Sequence, residues 1–528
     1  MSTVSATPET PGDIARVLAR AAALDERNRL LEEENRWLKA QLFGRSSEKM
    51  RPEDRNPDQA WLFNEIESTA ELIPDAPLTI PIPAHERAKR GRKPLAAALP
   101  RVEVVHDVSE AQRICPHDGT RLERIGEETS EQLEFIPSTL RVLKHIRPKY
   151  ACPCCHAGVK IAPLPETLFP KSILTPSLAA HIVTAKFVDG MPLYRQEPQF
   201  ERLGIELGRG TMALWMMRIG TIFIVPLINL LNERLLGESL VHCDETRLQV
   251  LKSDKAPTAD HWMWVRAAGP PGQRIVLFDY DPSRGGAVPI RLLQGFRGVF
   301  VTDGHRPYND AAAALGVTHA GCMAHVRRYF DEARKVAGDV DAGIAGYAKA
   351  ALEFIGKLSL IERTLWDRDH PATPAQRIEV RQRSSAPIMQ AFHAWLEALA
   401  PKAPPESRLG KAVNYALGQW PKLTVFLTHG EVPMTNNRCE NAIRPFVVGR
   451  KGWLFSDTVK GAVASANLYS LVETCKANVI EPHAYLTHLF ERLPHLKTVD
   501  DYEALLPWNA RAAVAASRQS VLVQHAGN

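Results

Sequence analysis

Leu240-Val-His-Cys-Asp-Glu-Thr-Arg-Leu-Gln-Val-Leu251 reads as a β-strand that carries an aspartate, Asp244, among apolar neighbours. Two more strands follow it, His261-Trp-Met-Trp-Val-Arg-Ala-Ala-Gly269 and Arg274-Ile-Val-Leu-Phe-Asp-Tyr-Asp281. A helix-like stretch over 285–294 leads to a fourth strand, Val299-Phe-Val-Thr-Asp-Gly304, which Asp303 closes and Gly304 turns. A helix-containing loop and a fifth strand then run into Gly321-Cys-Met-Ala-His-Val-Arg-Arg-Tyr-Phe330.

A buried carboxylate costs several kcal/mol, about 3 or more, unless it is paired or bound to a cation. Two aspartates on strands of one α/β sheet lie where such sheets build their sites. Asp244 and Asp303 therefore suggest a divalent-cation centre, of the kind Mg²⁺ forms with a few carboxylates and phosphate oxygens. A third carboxylate is Glu440, in Asn436-Asn-Arg-Cys-Glu-Asn-Ala-Ile-Arg444 at the start of a helix. The same residues also fit a capping box, Asn437 with Glu440, and an ion pair of Glu440 with Arg444. Spacing alone does not choose between the two readings. The strand and helix order matches a ribonuclease-H-like α/β sheet.

Outward from this core the chain divides into segments. Residues 11–44 read as a coiled coil: Val17, Leu24, Leu31 and Leu38 recur every seven residues, and Ile14, Ala21, Asn28, Asn35 and Leu42 fill the alternate position. Asn at two of those positions favours a two-stranded partnership, so self-association is expected there. Residues 45–100 form a proline- and charge-rich linker. Within it, Arg90-Gly-Arg-Lys-Pro94 resembles an AT-hook, with Arg90, Arg92 and Lys93 placed for a narrow minor groove. Residues 101–162 hold Cys115-Pro-His-Asp-Gly119, a strand-like stretch over 133–151, and Cys152-Pro-Cys-Cys-His156. Segments 163–236 and 336–425 are helical in pattern. Segment 237–335 is the first part of the strand-bearing core, and 426–496 is its last part. Residues 497–528 form the tail, and its small, polar part beyond Trp508 is expected to be loosely held.

The formal charge of +5 over 528 residues is too small to argue for nucleic acid by itself, so local clusters must carry that case. Eight cysteines in this length are no disulfide scaffold, and their grouping suggests metal ligation. The N-terminus lacks the basic start and apolar core of a signal peptide. The apolar run over 221–231 is interrupted by Pro226 and Asn229 and is too short to span a bilayer. A cytoplasmic protein without membrane contact is expected.

The series His-Cys-Asp244-Glu-Thr, Phe-Val-Thr-Asp303-Gly-His-Arg-Pro-Tyr-Asn, Gly-Cys-Met-Ala-His325-Val-Arg-Arg-Tyr-Phe, Asn-Asn-Arg-Cys-Glu440-Asn-Ala-Ile-Arg-Pro and Gly-Arg-Lys-Gly-Trp453-Leu-Phe resembles the insertion-sequence-66 family of transposases. The resemblance runs from the N-terminal zipper to Tyr485-Leu-Thr-His-Leu489. It implies a DDE triad of Asp244, Asp303 and Glu440 on a ribonuclease-H-like core, with a helical insertion before the glutamate. It also implies Mg²⁺ or Mn²⁺ as cofactor, double-stranded DNA as substrate, and small accessory transposition proteins. Two ions about 3.5–4 Å apart suit the chemistry: water frees a 3′-hydroxyl at the element end, and that hydroxyl attacks target DNA.

The cysteine segment resembles the family's zinc unit, with Asp118 in place of the usual second cysteine. Cys115, Cys152 and Cys155 remain as thiolate ligands, and the fourth ligand is open among Cys154, His117, His156 and Asp118. The family's Asp-Asn-Asn and Glu-Arg stand here as Thr435-Asn436-Asn437 and Glu440-Asn441, and Gly452 replaces an Asn usual after Arg-Lys. His325, Arg327 and Arg328 are candidate phosphate contacts. Arg444, Arg450, Lys451 and Trp453 combine charge with an aromatic that suits stacking on a flipped base. The competing readings are a non-catalytic zinc-containing DNA-binding protein and a nuclease that cuts without joining.

Overall fold

The computed structural model describes residues 11–43, 140–150, 160–338, 341–367 and 370–526. The AT-hook-like Arg90, Arg92 and Lys93 lie outside the described residues, as do Cys115, Cys152, Cys155 and their candidate fourth ligands.

Helix α1 (Pro11–Phe43) covers the heptad segment. Leu24, Leu31 and Leu38 of its seam are 44–53% exposed, so the apolar stripe is left uncovered by the other described residues. Another part of α1 touches the body of the protein. The Arg408 amide donates to Glu33 Oε1 at 2.9 Å, and the Arg408 guanidinium lies 4.0 Å over the Trp37 ring. The strand expected over 133–151 is not formed in its described part. Only Lys149–Tyr150 pairs, antiparallel to Lys160–Ile161. Leu140, Val142, Leu143 and Ile146 stay exposed, because no second layer of described residues covers them.

Helices α2 (Pro176–Phe187), α3 (Leu193–Arg202), α4 (Arg209–Arg218) and α5 (Val225–Leu236) follow. Thr175 caps α2 by accepting from the Leu178 amide, and Pro176 supplies a first-turn residue that needs no donor. A π turn over Ile219–Phe223 joins α4 to α5 with a bend of 51°. Ile219, Leu227, Leu231 and Leu235 are buried there. Among the described residues no single helix is long and apolar enough to cross a membrane.

The sheet is built from β1 (Leu240–Lys252), β2 (Asp260–Ala268) and β3 (Ile275–Asp281), then β4 (Val299–Val301) and β5 (Thr318–Ala320). Helix α6 (Ala287–Leu292) precedes β4, and α7 (Arg306–Leu315) links β4 to β5. The order is β3-β2-β1-β4-β5. The first three strands are antiparallel, while β4 and β5 run parallel to β1. Both parallel strands are short, so Asp303 lies just beyond β4 and does not close it.

Helices α8 (Met323–Ala337), α9 (Ala342–Leu365), α10 (Pro374–Val380), α11 (Ala386–Leu399) and α12 (Arg408–Leu423) come next. They enclose a second core around Phe330, Ile355, Leu358, Phe392 and Val413. A buried ion pair stitches it: Arg381 donates to both Glu362 oxygens, at 2.8 and 2.6 Å, and to the Phe426 and His429 carbonyls.

The chain then returns to the sheet through α13 (Asn437–Trp453), β6 (Ser456–Thr458) and α14 (Val459–Ala477). Strand β6 was not expected; it pairs parallel with the far end of β1, Val250 facing Ser456. Helix α14 covers the edge strand β3. Ser470 Oγ accepts from the Phe278 amide and Thr474 Oγ1 from the Val276 amide, at 2.8 and 3.1 Å, so outward amides are satisfied without another strand. Helices α15 (Pro482–Arg492), α16 (Val499–Ala504) and α17 (Pro507–Ala526) complete the fold. Beyond Trp508, where a loosely held tail is expected, the chain is helical in α17 and buries Ala510 and Val514; its alanine-rich run is a strong helix former.

Candidate active site

Alternation along β1 sends Cys243 and Glu245 to one face and Asp244 to the other. On the first face Glu245 is paired. Arg284 donates to its Oε1 through Nε and the terminal nitrogen, at 2.8 and 2.7 Å, and the Tyr308 hydroxyl donates to Oε2. On the second face no described residue gives Asp244 such a cation. Its Oδ1 accepts from the Glu245 amide at 2.9 Å. Its pKa is held well above the ordinary carboxylate range, first by burial, then by repulsion from Glu245, Asp303 and Glu440.

Asp303 enters from the turn after β4, where its Oδ1 accepts from the His305 amide at 2.9 Å. Gly304 lets the turn pass Tyr415 of α12; a Cβ there would lie 2.6 Å from the ring. The Tyr415 phenol is pushed upward by burial and then by Asp303.

Glu440 arrives on α13, and its setting corrects the capping-box alternative. Asn436 is the N-cap and makes no side-chain cap bond, while Asn437 is already helical. Asn436 is instead spent on its neighbours. Its Oδ1 lies 2.9 Å from His242 Nδ1, its Nδ2 donates to the Cys243 carbonyl at 2.9 Å, and its amide donates to Cys322 Sγ at 3.1 Å. Among the described ion pairs Glu440 meets His325, Nδ1 to Oε1 3.7 Å, and not Arg444. The His325 imidazole is lowered by burial, which outweighs the opposing pull of Glu440 and Asp303.

Three carboxylates from β1, the β4 turn and α13 thus share one electrostatic field, and no ion pair to Asp244 is formed among the described residues. A donor set of oxygens in mutual repulsion fits a hard divalent cation. Family models match in the same places. The model described as transposase IS66 family spans residues 171–464, and the IS66 C-terminal element spans 470–508. The zinc-finger binding domain of transposase IS66 matches 112–156, and a model described as transposase C of IS166 homeodomain matches 30–104. The chain belongs to the IS66 family of transposases. Among its relatives are uncharacterized proteins of Sinorhizobium fredii (strain NBRC 101917 / NGR234). Protein y4qI is 32% identical over 512 residues, 94% of this chain and 92% of its own length. Protein y4jD is 32% identical over 460 residues, 82% of this chain and 88% of its own.

The IS66-family chain distributes its other expected site residues unevenly. His325 joins the carboxylates, and Arg327 and Arg328 are exposed on the same helix, α8. Arg444 and Lys451 are exposed on α13, four and eleven residues beyond Glu440 and therefore on its side of the helix. Arg450 turns away and is half-buried beside Arg247 and Asp260. Trp453 is not a free stacking surface: its ring packs edge-on to Phe446 at 5.5 Å, with the Lys186 ammonium 5.4 Å over it.

Four participants escaped the sequence reading: Glu245, Asn436, Cys322 and Tyr415. Glu245 carried a signal, being a second acid inside a strand that alternation buries. The other three act through partners roughly 100 or more residues away, which spacing does not reveal.

Proposed function

We propose that this IS66-family chain is a DDE transposase that cuts and joins insertion-sequence DNA ends on a ribonuclease-H-like core. The observation that carries the reading is the placement of Asp303 and Glu440 in the field of Asp244, each raising the cost of its ionisation. The strand order β3-β2-β1-β4-β5, antiparallel then parallel, supports the core assignment. Asp244, Asp303 and Glu440 are the residues that would hold Mg²⁺ or Mn²⁺. When bound, the ions supply charge stabilisation for in-line displacement at phosphorus.

The chain's own groups do the rest. The Asn436 bonds fix the start of α13 against β1, so Glu440 keeps its aim. Arg328 beside His325, with Arg444 and Lys451 along α13, offers cations for the DNA backbone. Arg90, Arg92 and Lys93 would add minor-groove contact, Cys115, Cys152 and Cys155 would hold Zn²⁺, and α1 would pair two copies for synapsis. The setting is the cytoplasm, at the nucleoid, with accessory transposition proteins as further partners.

The test is cleavage and strand transfer on the element's own ends. Asp244→Asn, Asp303→Asn and Glu440→Gln should each abolish both steps in Mg²⁺, with specific DNA binding kept. The triple variant should be no worse than a single one, since the residues act as a unit. Retained cleavage in Glu440→Gln would remove Glu440 from the set.

A further inference from the structure

Cys322 is the N-cap residue of α8, and His325 lies three positions later, so one turn brings thiol and imidazole to the same side. Glu440 meets them from α13. Its Oε1 is 3.7 Å from Cys322 Sγ and 3.7 Å from His325 Nδ1. The three ligand atoms all lie within 4.8 Å of one another, the one such group of His, Cys, Asp and Glu among the described residues. His325 Nδ1 is buried and has no hydrogen-bond partner. At 3.7 Å the carboxylate is too far to serve as one.

Those separations have a simple meaning for coordination. Around a tetrahedral zinc with bonds of roughly 2.0–2.3 Å, neighbouring ligand atoms stand roughly 3.3–3.6 Å apart. Both 3.7 Å contacts are within a few tenths of an ångström of that spacing. A thiol and an imidazole are poor partners for Mg²⁺, which takes oxygen, and good ones for zinc and its neighbours. Three protein ligands with a fourth position left to water or a phosphate oxygen is the composition of open zinc sites.

We propose that Cys322, His325 and Glu440 form a site for a thiophilic divalent cation of the Zn²⁺ class, and that its occupation withdraws Glu440 from Asp244 and Asp303. The site lies in the sheet-and-helix core, distinct from the cysteines of the 112–156 segment. The first half stands on the geometry alone. The second half rests on the reading of Glu440 as the third catalytic carboxylate, and predicts that Zn²⁺ opposes Mg²⁺-dependent cleavage.

The experiment uses the full chain and two readouts. Co²⁺ is titrated as a spectroscopic probe into metal-free protein, and thiolate-to-cobalt charge transfer is followed. The variant Cys152→Ser with Cys155→Ser should keep a one-equivalent thiolate band, and adding Cys322→Ser should erase it. Cys322→Ser retains an acceptor for the Asn436 amide, and His325→Gln supplies a second route, expected to weaken Co²⁺ at this site at least tenfold. A band unchanged by both Cys322→Ser and His325→Gln overturns the site. Separately, Zn²⁺ inhibition is measured against each variant's own Mg²⁺-dependent rate. The half-inhibiting concentration should rise at least tenfold in Cys322→Ser. If Co²⁺ binds as expected but Zn²⁺ inhibition is the same in both proteins, the coupling to Glu440 is wrong. If the parent chain cleaves nothing in Mg²⁺ while the Co²⁺ band behaves as expected, the catalytic reading fails and the metal site stands.

Discussion

His242 Nδ1 and Asn436 Oδ1 lie 2.9 Å apart in a fully buried contact, joining the strand of Asp244 to the residue that opens the helix of Glu440. The same Asn436 holds the Cys243 carbonyl and Cys322 Sγ, so one amide side chain and its backbone join β1, α8 and α13. The helical insertion separates the first two carboxylates from the third in sequence. This buried contact ties the helix of Glu440 back to the strand of Asp244.

Asn436→Ala should therefore cost more than its size suggests. It strips bonds from a buried imidazole and a buried carbonyl, and each orphaned group costs about 1–3 kcal/mol. Urea unfolding is expected to show a loss of about 2–4 kcal/mol. Cleavage should fall together with it, because the start of α13 loses its anchor. A variant of unchanged stability would mean that water replaces the amide fully.

Acid should weaken the fold through its buried histidines. His242 and His319 are each lowered from 6.5 to about 3, mainly by burial and then by Arg438 and Lys422 respectively. Both stay neutral in the native state at pH values where the unfolded chain protonates them. Their contribution is complete above about pH 6.5 and is lost progressively as pH falls toward about 3. Each adds a slope of up to about 1.4 kcal/mol per pH unit below that point. Denaturant midpoints measured at about pH 7 and about pH 5 check this. A flat profile there would mean that one or both rings take up protons in the native state.

How much of this was legible in the sequence differs by residue. Asp244 and Asp303 suggested a site only as a pair on one sheet, since either alone is weak evidence. Asp303 with a turn glycine after it suits an ordinary turn as well; the close Gly304–Tyr415 approach was not legible, since Tyr415 lies on a distant helix. Glu440 was legible only through the family's motif series, as local spacing suited a helix cap equally well. The cap falls on Asn436 instead, whose polar atoms are claimed by tertiary partners that no local pattern encodes. Ser456–Thr458 was missed as a strand because it is three polar residues, paired at the end of β1 and not in its middle.

The insertion should fail at its buried ion pair. Arg381 is fully buried, and Glu362 supplies the acceptor for its Nε and terminal nitrogen. Glu362→Ala leaves a buried guanidinium uncompensated, at a cost of about 3–5 kcal/mol. Replacing both residues with apolar ones of similar volume should be much milder. Thermal unfolding of the single and double variants distinguishes a needed pair from one tolerated as a couple.

Self-association should be separable from folding. Leu24 and Leu31 are exposed on α1, and nothing in the described chain covers their stripe. Leu24→Pro with Leu31→Pro costs about 3 kcal/mol per proline in helix propensity alone, enough to undo a zipper. Monomers with a normally folded core are expected in sedimentation. An unchanged dimer would move the interface elsewhere.

Asp244 tests whether the carboxylate centre is strained by its own charge. Burial and three acidic neighbours raise its pKa, so ionisation at neutral pH opposes folding, and a bound cation would relieve that cost. A folded pKa above the unfolded one means that its stabilising share is present in acid and is lost as pH rises through the folded value. Asp244→Asn removes the charge and keeps the shape, including the oxygen that accepts from the Glu245 amide. In chelator at neutral pH the variant should melt higher than the parent. A domain of about 150–250 residues gains about 2–4 °C for each kcal/mol of repulsion relieved. Adding Mg²⁺ should raise the parent's midpoint and leave the variant's nearly still, because the cation relieves the repulsion that the substitution has already deleted. The same variant should have lost cleavage. A lower midpoint in chelator would show that Asp244 is ordinarily paired and hydrogen-bonded, and that the three carboxylates do not form a cation site.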